Sequence, residues 1–107
     1  MVRSSMINKK ALKQLQELQA KLARAQQELE EAVLEGSSGG GAVKVKVSGK
    51  PEVLSVKIAP EVIDPQDASL LEDLILAAVN QALEKARDLA ARRLEPLAGG
   101  LKFPGLF

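Results

Sequence analysis

Residues 8–34 read NKKALKQLQELQAKLARAQQELEEAVL, and the spacing of the apolar positions in this stretch decides the fold. Leu15, Leu22 and Leu29 recur every seven residues, with Leu18, Ala25 and Ala32 at the alternate seam positions, which is the a/d spacing of two packed helices. At 1.5 Å rise per residue such a helix is roughly 40 Å long, whereas a compact 100-residue domain has a radius of gyration of about 13 Å. One small domain cannot cover that length. The seam therefore predicts a partner, most simply a second copy of the chain, with Leu15, Leu18, Leu22 and Leu29 at the dimer interface.

The rest of the chain arranges itself around this arm as a single domain over residues 1–107. Helix one, over 8–35, is expected to end near Glu35, because Gly36, Ser37, Ser38, Gly39, Gly40 and Gly41 form a flexible linker over 36–41. An antiparallel sheet occupies 42–63. Its first strand, Ala42 to Ser48, alternates Val43, Val45 and Val47 with Lys44, Lys46 and Ser48. Gly49, Lys50 and Pro51 turn the chain into a second strand, Glu52 to Ile58, with Leu54, Val56 and Ile58 on one face. Ala59 to Ile63 offers a short third extended segment before Pro65 breaks the chain.

Helix two is expected over 67–95, starting near Asp67 or at Ser69, where Ser69 and Glu72 form a capping box, and stopped by Pro96. Leu71, Leu74, Ile75, Ala78, Val79, Ala82, Leu83, Ala86, Leu89 and Ala90 cover an arc wide enough to meet both a sheet and a second helix. Residues 96–107 form an apolar tail. The fold class is α+β: a long N-terminal helix, a small antiparallel sheet and a long second helix.

Composition narrows the chemistry. The chain has no Cys and no His, which removes disulfides, thiolate and imidazole metal sites and the commonest general base. Adjacent carboxylates such as Glu72 and Asp73 diverge on a helix and have no His or Cys beside them. An enzyme is not expected, nor a cofactor, a metal or a small-molecule substrate. No apolar run is long enough for a membrane span and the N-terminus lacks a signal peptide's apolar core, so the expected location is the cytoplasm. With two Phe and no Trp or Tyr, the core must be aliphatic.

Net charge is only +1, yet it is segregated. The balance is +5 over 1–27, −4 over 28–42, +3 over 43–58, −5 over 59–73 and +2 over 74–107. On a helical wheel Lys10, Lys13, Lys21 and Arg24 fall within an arc of roughly 80°, away from the leucine seam. Arg3 and Lys9 extend that positive end. A solvated face laced with weak ion pairs would look like this, and so would an arm that tracks phosphates. Arg92 and Arg93, late in helix two, either add to the basic surface or complement the helix dipole.

Lys44 and Lys46, with Lys57 on the next strand, could face phosphates, but alternating lysines on a hairpin more often protect an edge and keep the chain soluble. The glycine-rich stretch is no phosphate-binding loop, since it follows a helix and lacks the Lys-Ser/Thr pair. Phe103 and Phe107 in the tail are read as packing residues ahead of base-stacking ones.

Three stretches resemble a known family. They are the Gln-rich, Leu-seamed run Lys13, Gln14, Leu15, Gln16, Glu17, Leu18, Gln19, Ala20, Lys21; the series Gly36, Gly41, Val43, Lys44, Val45, Val47, Gly49, Val56, Ile58, Pro60; and the run Leu71, Glu72, Asp73, Leu74, Ala77, Ala78, Asn80, Ala82. Together they are similar to the YbaB/EbfC family of small bacterial nucleoid-associated proteins, with Leu in place of much of the family's Met in helix one and Val79 where a Phe is common.

The resemblance implies an α+β protomer that forms a tweezer-like homodimer and grips double-stranded DNA with its helical arms, in the nucleoid and with no activity beyond binding. The expected contacts are then Arg3, Lys9, Lys10, Lys13, Lys21, Arg24, Arg92 and Arg93. The alternative is a protein-interaction adaptor that docks a partner through its seam and apolar tail.

Overall fold

The computed structural model describes residues 8–98. Helix α1 spans Lys9–Glu31 and strand β1 spans Val33–Ser38. Strands β2, Val43–Ser48, and β3, Val53–Ile58, follow, and helix α2, Ala68–Ala98, closes the sequence of elements. The strands form one antiparallel sheet in the order β1-β2-β3. The described residues extend over 74 × 26 × 23 Å with a radius of gyration of 21.1 Å, well beyond the roughly 13 Å of a compact chain of about this length.

Asn8 caps α1, its side-chain oxygen accepting the Ala11 amide at 2.6 Å. The helix stops four residues before the expected end at Glu35, with Ala32 already extended. The cause is tertiary. Val33–Ser38 pairs with β2 in the register Leu34↔Val47, Gly36↔Val45 and Ser38↔Val43, so its backbone groups find partners in a sheet instead of a last helical turn. Residues 36–41 are thus no linker: Gly36–Ser38 complete a strand, and Gly39, Gly40 and Gly41 make the turn into β2. Their φ values are 61°, 68° and 95°, a region open to glycine at little cost.

The third strand of the sheet is therefore β1, on the side of β2 away from β3. The expected extended segment at 59–63 is instead a 3-10 turn over Pro60–Val62. Between β2 and β3 the register shifts at Lys46/Val47, leaving Leu54 as an extra residue on β3.

Of the two expected starts, Asp67 and the box at Ser69, helix α2 uses Asp67 as its cap. The Asp67 carboxylate accepts the Leu70 amide at 3.3 Å and the Ser69 hydroxyl at 3.2 Å. Pro96 lies inside the helix, which runs on to Ala98. A proline so close to the end removes a hydrogen bond only from the final turns.

Val43, Val45 and Val47 are fully buried against Ala78, Ala82 and Ala86, one small residue per turn of α2. This alanine stripe lets helix and sheet backbones approach closely. Three bonds then fasten β1 to the helix: Ser38 Oγ donates to the Leu74 carbonyl (2.6 Å), the Ser37 amide to Gln81 Oε1 (2.8 Å), and Lys85 Nζ to the Glu35 carbonyl (2.8 Å). The outer edge of β1 is blocked in this way.

Helix α2 lies over β1 and β2, and β3 is left beside it. Val53, Leu54 and Val56 are about half exposed and only Ile58 is partly covered, although the alternation in 52–58 predicts a buried face.

Ser48 is 3% exposed and its hydroxyl has no partner, while its amide donates to the Glu52 carbonyl at 2.9 Å. Ser48→Ala is expected to leave stability unchanged or raise it by up to about 1 kcal/mol, because an unpaired buried hydroxyl costs desolvation and returns nothing. Urea unfolding of the two proteins side by side measures this.

Candidate nucleic-acid interface

Helix α1 is an arm of 23 residues, about 34 Å long. Only its base is held: α1 packs on α2 and touches β2 there, Ala25 and Leu29 are buried, and the Gly49 amide donates to the Ala32 carbonyl at 3.2 Å. Towards the N-terminus the seam opens, with Leu12, Leu15 and Leu22 exposed and Leu18 half-buried. Leu29, the last residue of the seam, is buried within its own protomer at the base of the arm. Leu15, Leu18 and Leu22 keep an open side.

Lys9, Lys10, Lys13, Lys21 and Arg24 are all exposed on this arm. None is joined to an acid: the ion pair found among the described residues is Arg93 Nη1 to Glu28 Oε1, at 2.8 Å. Arg93 is therefore a strut between α2 and the base of α1, worth at most about 1 kcal/mol since both side chains are nearly half exposed. Arg92 is exposed beside it. Arg3 and the tail phenylalanines Phe103 and Phe107 lie outside the described residues. Sequence reasoning passed over Lys85 and Gln81, which close the β1 edge, because nothing local marks a side chain that bonds to a strand 44 to 50 residues away.

The charge layout of α1 runs against the helix dipole. Lys9 and Lys10 stand in the first turn with no acid beside them, and Glu28, Glu30 and Glu31 crowd the last turns with no base in the final one. Each wrong-signed group costs roughly 0.3–1 kcal/mol at low salt. Helix stability would select the reverse order. What the arrangement does provide is a positive helix end where Lys9, Lys10 and Lys13 converge, a surface suited to phosphate.

No group of potential metal ligands occurs among the described residues, and no helix there is long and apolar enough to cross a membrane.

Comparison with known proteins places the chain among relatives. A nucleoid-associated protein of Pelotomaculum thermopropionicum is 48% identical over 98 residues, covering 92% of this chain and 93% of that one. Another, from Alkaliphilus metalliredigens, is 48% identical over 96 residues, 90% of this chain and 84% of its own. A third, from Chloroflexus aurantiacus, is 47% identical over 102 residues and is covered completely, with 94% of this chain aligned. An uncharacterized protein of Helicobacter pylori, known from its crystal structure, shares the fold with a TM-score of 0.59 at 18% identity, over 81% of this chain and 96% of that one. The sequence model of the YbaB/EbfC DNA-binding family matches residues 5–101, and the chain belongs to that family.

Proposed function

We propose that this protein is a nucleoid-associated protein that binds double-stranded DNA as a homodimer, chiefly through phosphates, with Lys9, Lys10, Lys13, Lys21 and Arg24 on the projecting arm as the contacts. Arg3 extends the same basic end in sequence, and Arg92 adds to it from α2. Arg93 contributes less, being held by Glu28. The observation that carries the reading is the inverted charge order of α1, which works against the helix and favours an anionic partner.

Two features support pairing of protomers. The outer arm exposes Leu12, Leu15 and Leu22, and the edge strand β3 exposes Val53, Leu54 and Val56. These are the apolar surfaces that a second copy would cover. Base selectivity is expected to be modest, since the arm's exposed polar groups are mostly Lys and Gln and phosphate contacts carry no sequence information. Shape and deformability of the duplex would then set preference, with nucleoid organisation and gene regulation as the roles served.

The test is binding to a random-sequence duplex across salt concentrations, beside a sedimentation measurement of the free protein. The five phosphate contacts of one arm contribute about −4.5 to the slope of log K against log salt, so affinity should fall at least roughly 500-fold between 50 and 200 mM. Binding indifferent to salt, or a free protein that sediments as one subunit at micromolar concentration, contradicts the proposal.

A further inference from the structure

Two of the three sheet lysines stand on the central strand. Val43, Val45 and Val47 point into α2, so Lys44 and Lys46 point the other way and are exposed, and among the described residues no helix lies over them. Both edges of β2 are hydrogen-bonded, to β1 and to β3. Lysines there guard no edge, and that explanation survives only for Lys57 on β3.

The register sharpens the point. Lys44 lies directly opposite Lys57, and like charges in that position destabilise a strand pair. Lys46 lies between Glu35 and Ser55, without an ion pair to Glu35. The three cations and one carboxylate line a cleft of about 620 Å³ on this face of the sheet. Lysine is depleted in strands, and solubility alone would be met by Thr, which suits a strand better.

We infer that the open face of the sheet is a second phosphate-contact surface for duplex DNA, carried by Lys44, Lys46 and Lys57 and separate from the arm. This rests on the reading of DNA as the partner and extends it from the arm to the body of the protein. Lys44 and Lys46 are about 7 Å apart along the strand and Lys57 adjoins Lys44 across the ladder, so the three present a short two-dimensional array of cations. The row of Ser37, Lys44 and Lys57 is at the end of the sheet remote from the junction with α1, so a bound duplex would be touched well away from the arm.

Lysine acylation footprinting of the wild-type protein, read residue by residue by mass spectrometry with and without a saturating random-sequence duplex at low salt, tests this directly. Lys50, exposed on the β2–β3 turn, is the internal reference. Protection of Lys44, Lys46 and Lys57 relative to Lys50 is expected, and equal reactivity of all four, or equal protection of all four, overturns the inference. Combined substitution Lys44→Gln, Lys46→Gln and Lys57→Gln should make the salt slope shallower by about 2.7 for each protomer whose sheet is engaged. An unchanged slope in the folded variant overturns it as well. Lys9, Lys10, Lys13 and Lys21 report on the arm in the same samples. Loss of their protection alone would sink the arm as a DNA contact and leave the sheet surface standing.

Discussion

Gly36→Ala is expected to cost about 3 kcal/mol or more, a large part of the roughly 5–15 kcal/mol that holds a domain of this size together. A Cβ at this position would collide with the Ala78 carbonyl oxygen and come within 2.5 Å of the Ala82 nitrogen and 2.9 Å of its Cβ. Two of these three atoms belong to the α2 backbone, so no side chain can swing aside. Helix and sheet must separate, and the contacts of Val43, Val45 and Val47 with the alanine stripe loosen with them. Gly40→Ala separates sterics from backbone conformation, because a Cβ there meets nothing within 4 Å and only the φ of 68° opposes it. That substitution should cost about 1–2 kcal/mol. Urea midpoints of the three proteins decide the matter, and a Gly36→Ala protein as stable as Gly40→Ala would show that α2 does not seat on β1 as described.

The second large effect is on DNA. Replacing Lys10, Lys13 and Arg24 by Glu removes three phosphate contacts, which at 50 mM salt should lower affinity at least about a thousandfold, before repulsion by the new carboxylates is counted. The protein itself should be unharmed. All three side chains are exposed, and Lys10→Glu puts a carboxylate into the first turn of α1, where the dipole favours it. Thermal unfolding unchanged or slightly raised, an unchanged sedimentation coefficient and the absence of a gel shift form the expected set of results. An affinity and a salt slope both equal to those of the wild type would remove the arm from the DNA-binding surface.

The first of these results depends on how α2 meets the sheet, and here local and long-range information part company. The seven-residue recurrence of Leu15, Leu22 and Leu29, the Val/Lys alternation of 43–48 and the apolar arc of 71–90 can each be read within one element, and each became the element expected. The family runs did as well, since the LEDL segment and the glycine positions are local words of the sequence. The cap of α2 shows the limit even at short range. Asp67 and Ser69 both suit a helix start, and the structure uses Asp67 and ties Ser69 to it.

The segment 33–38 was beyond such reading. Val33, Leu34 and Glu35 continue a helical pattern, and Gly36, Ser37 and Ser38 resemble a linker, yet together they form β1. What makes them a strand is a glycine thin enough to lie under Ala78 and Ala82, and the pairing of Leu34 and Gly36 with Val47 and Val45. The candidate site divides in the same way. Exposure of the arm's lysines follows from their place on the wheel, whereas the binding of Arg93 by Glu28, 65 residues apart, follows from the return of α2 to the base of the arm.

By itself, then, the amino-acid order determined two helices, a valine-lined strand pair, the family and a positive arm, because periodicity and charge are properties of neighbours along the chain. The tertiary structure alone decided where α1 stops, which strand became the central one and which lysines face open solvent on the sheet. Those outcomes turn on backbone hydrogen bonds and close packing between residues tens of positions apart, which become favourable only once α2 has seated against the sheet.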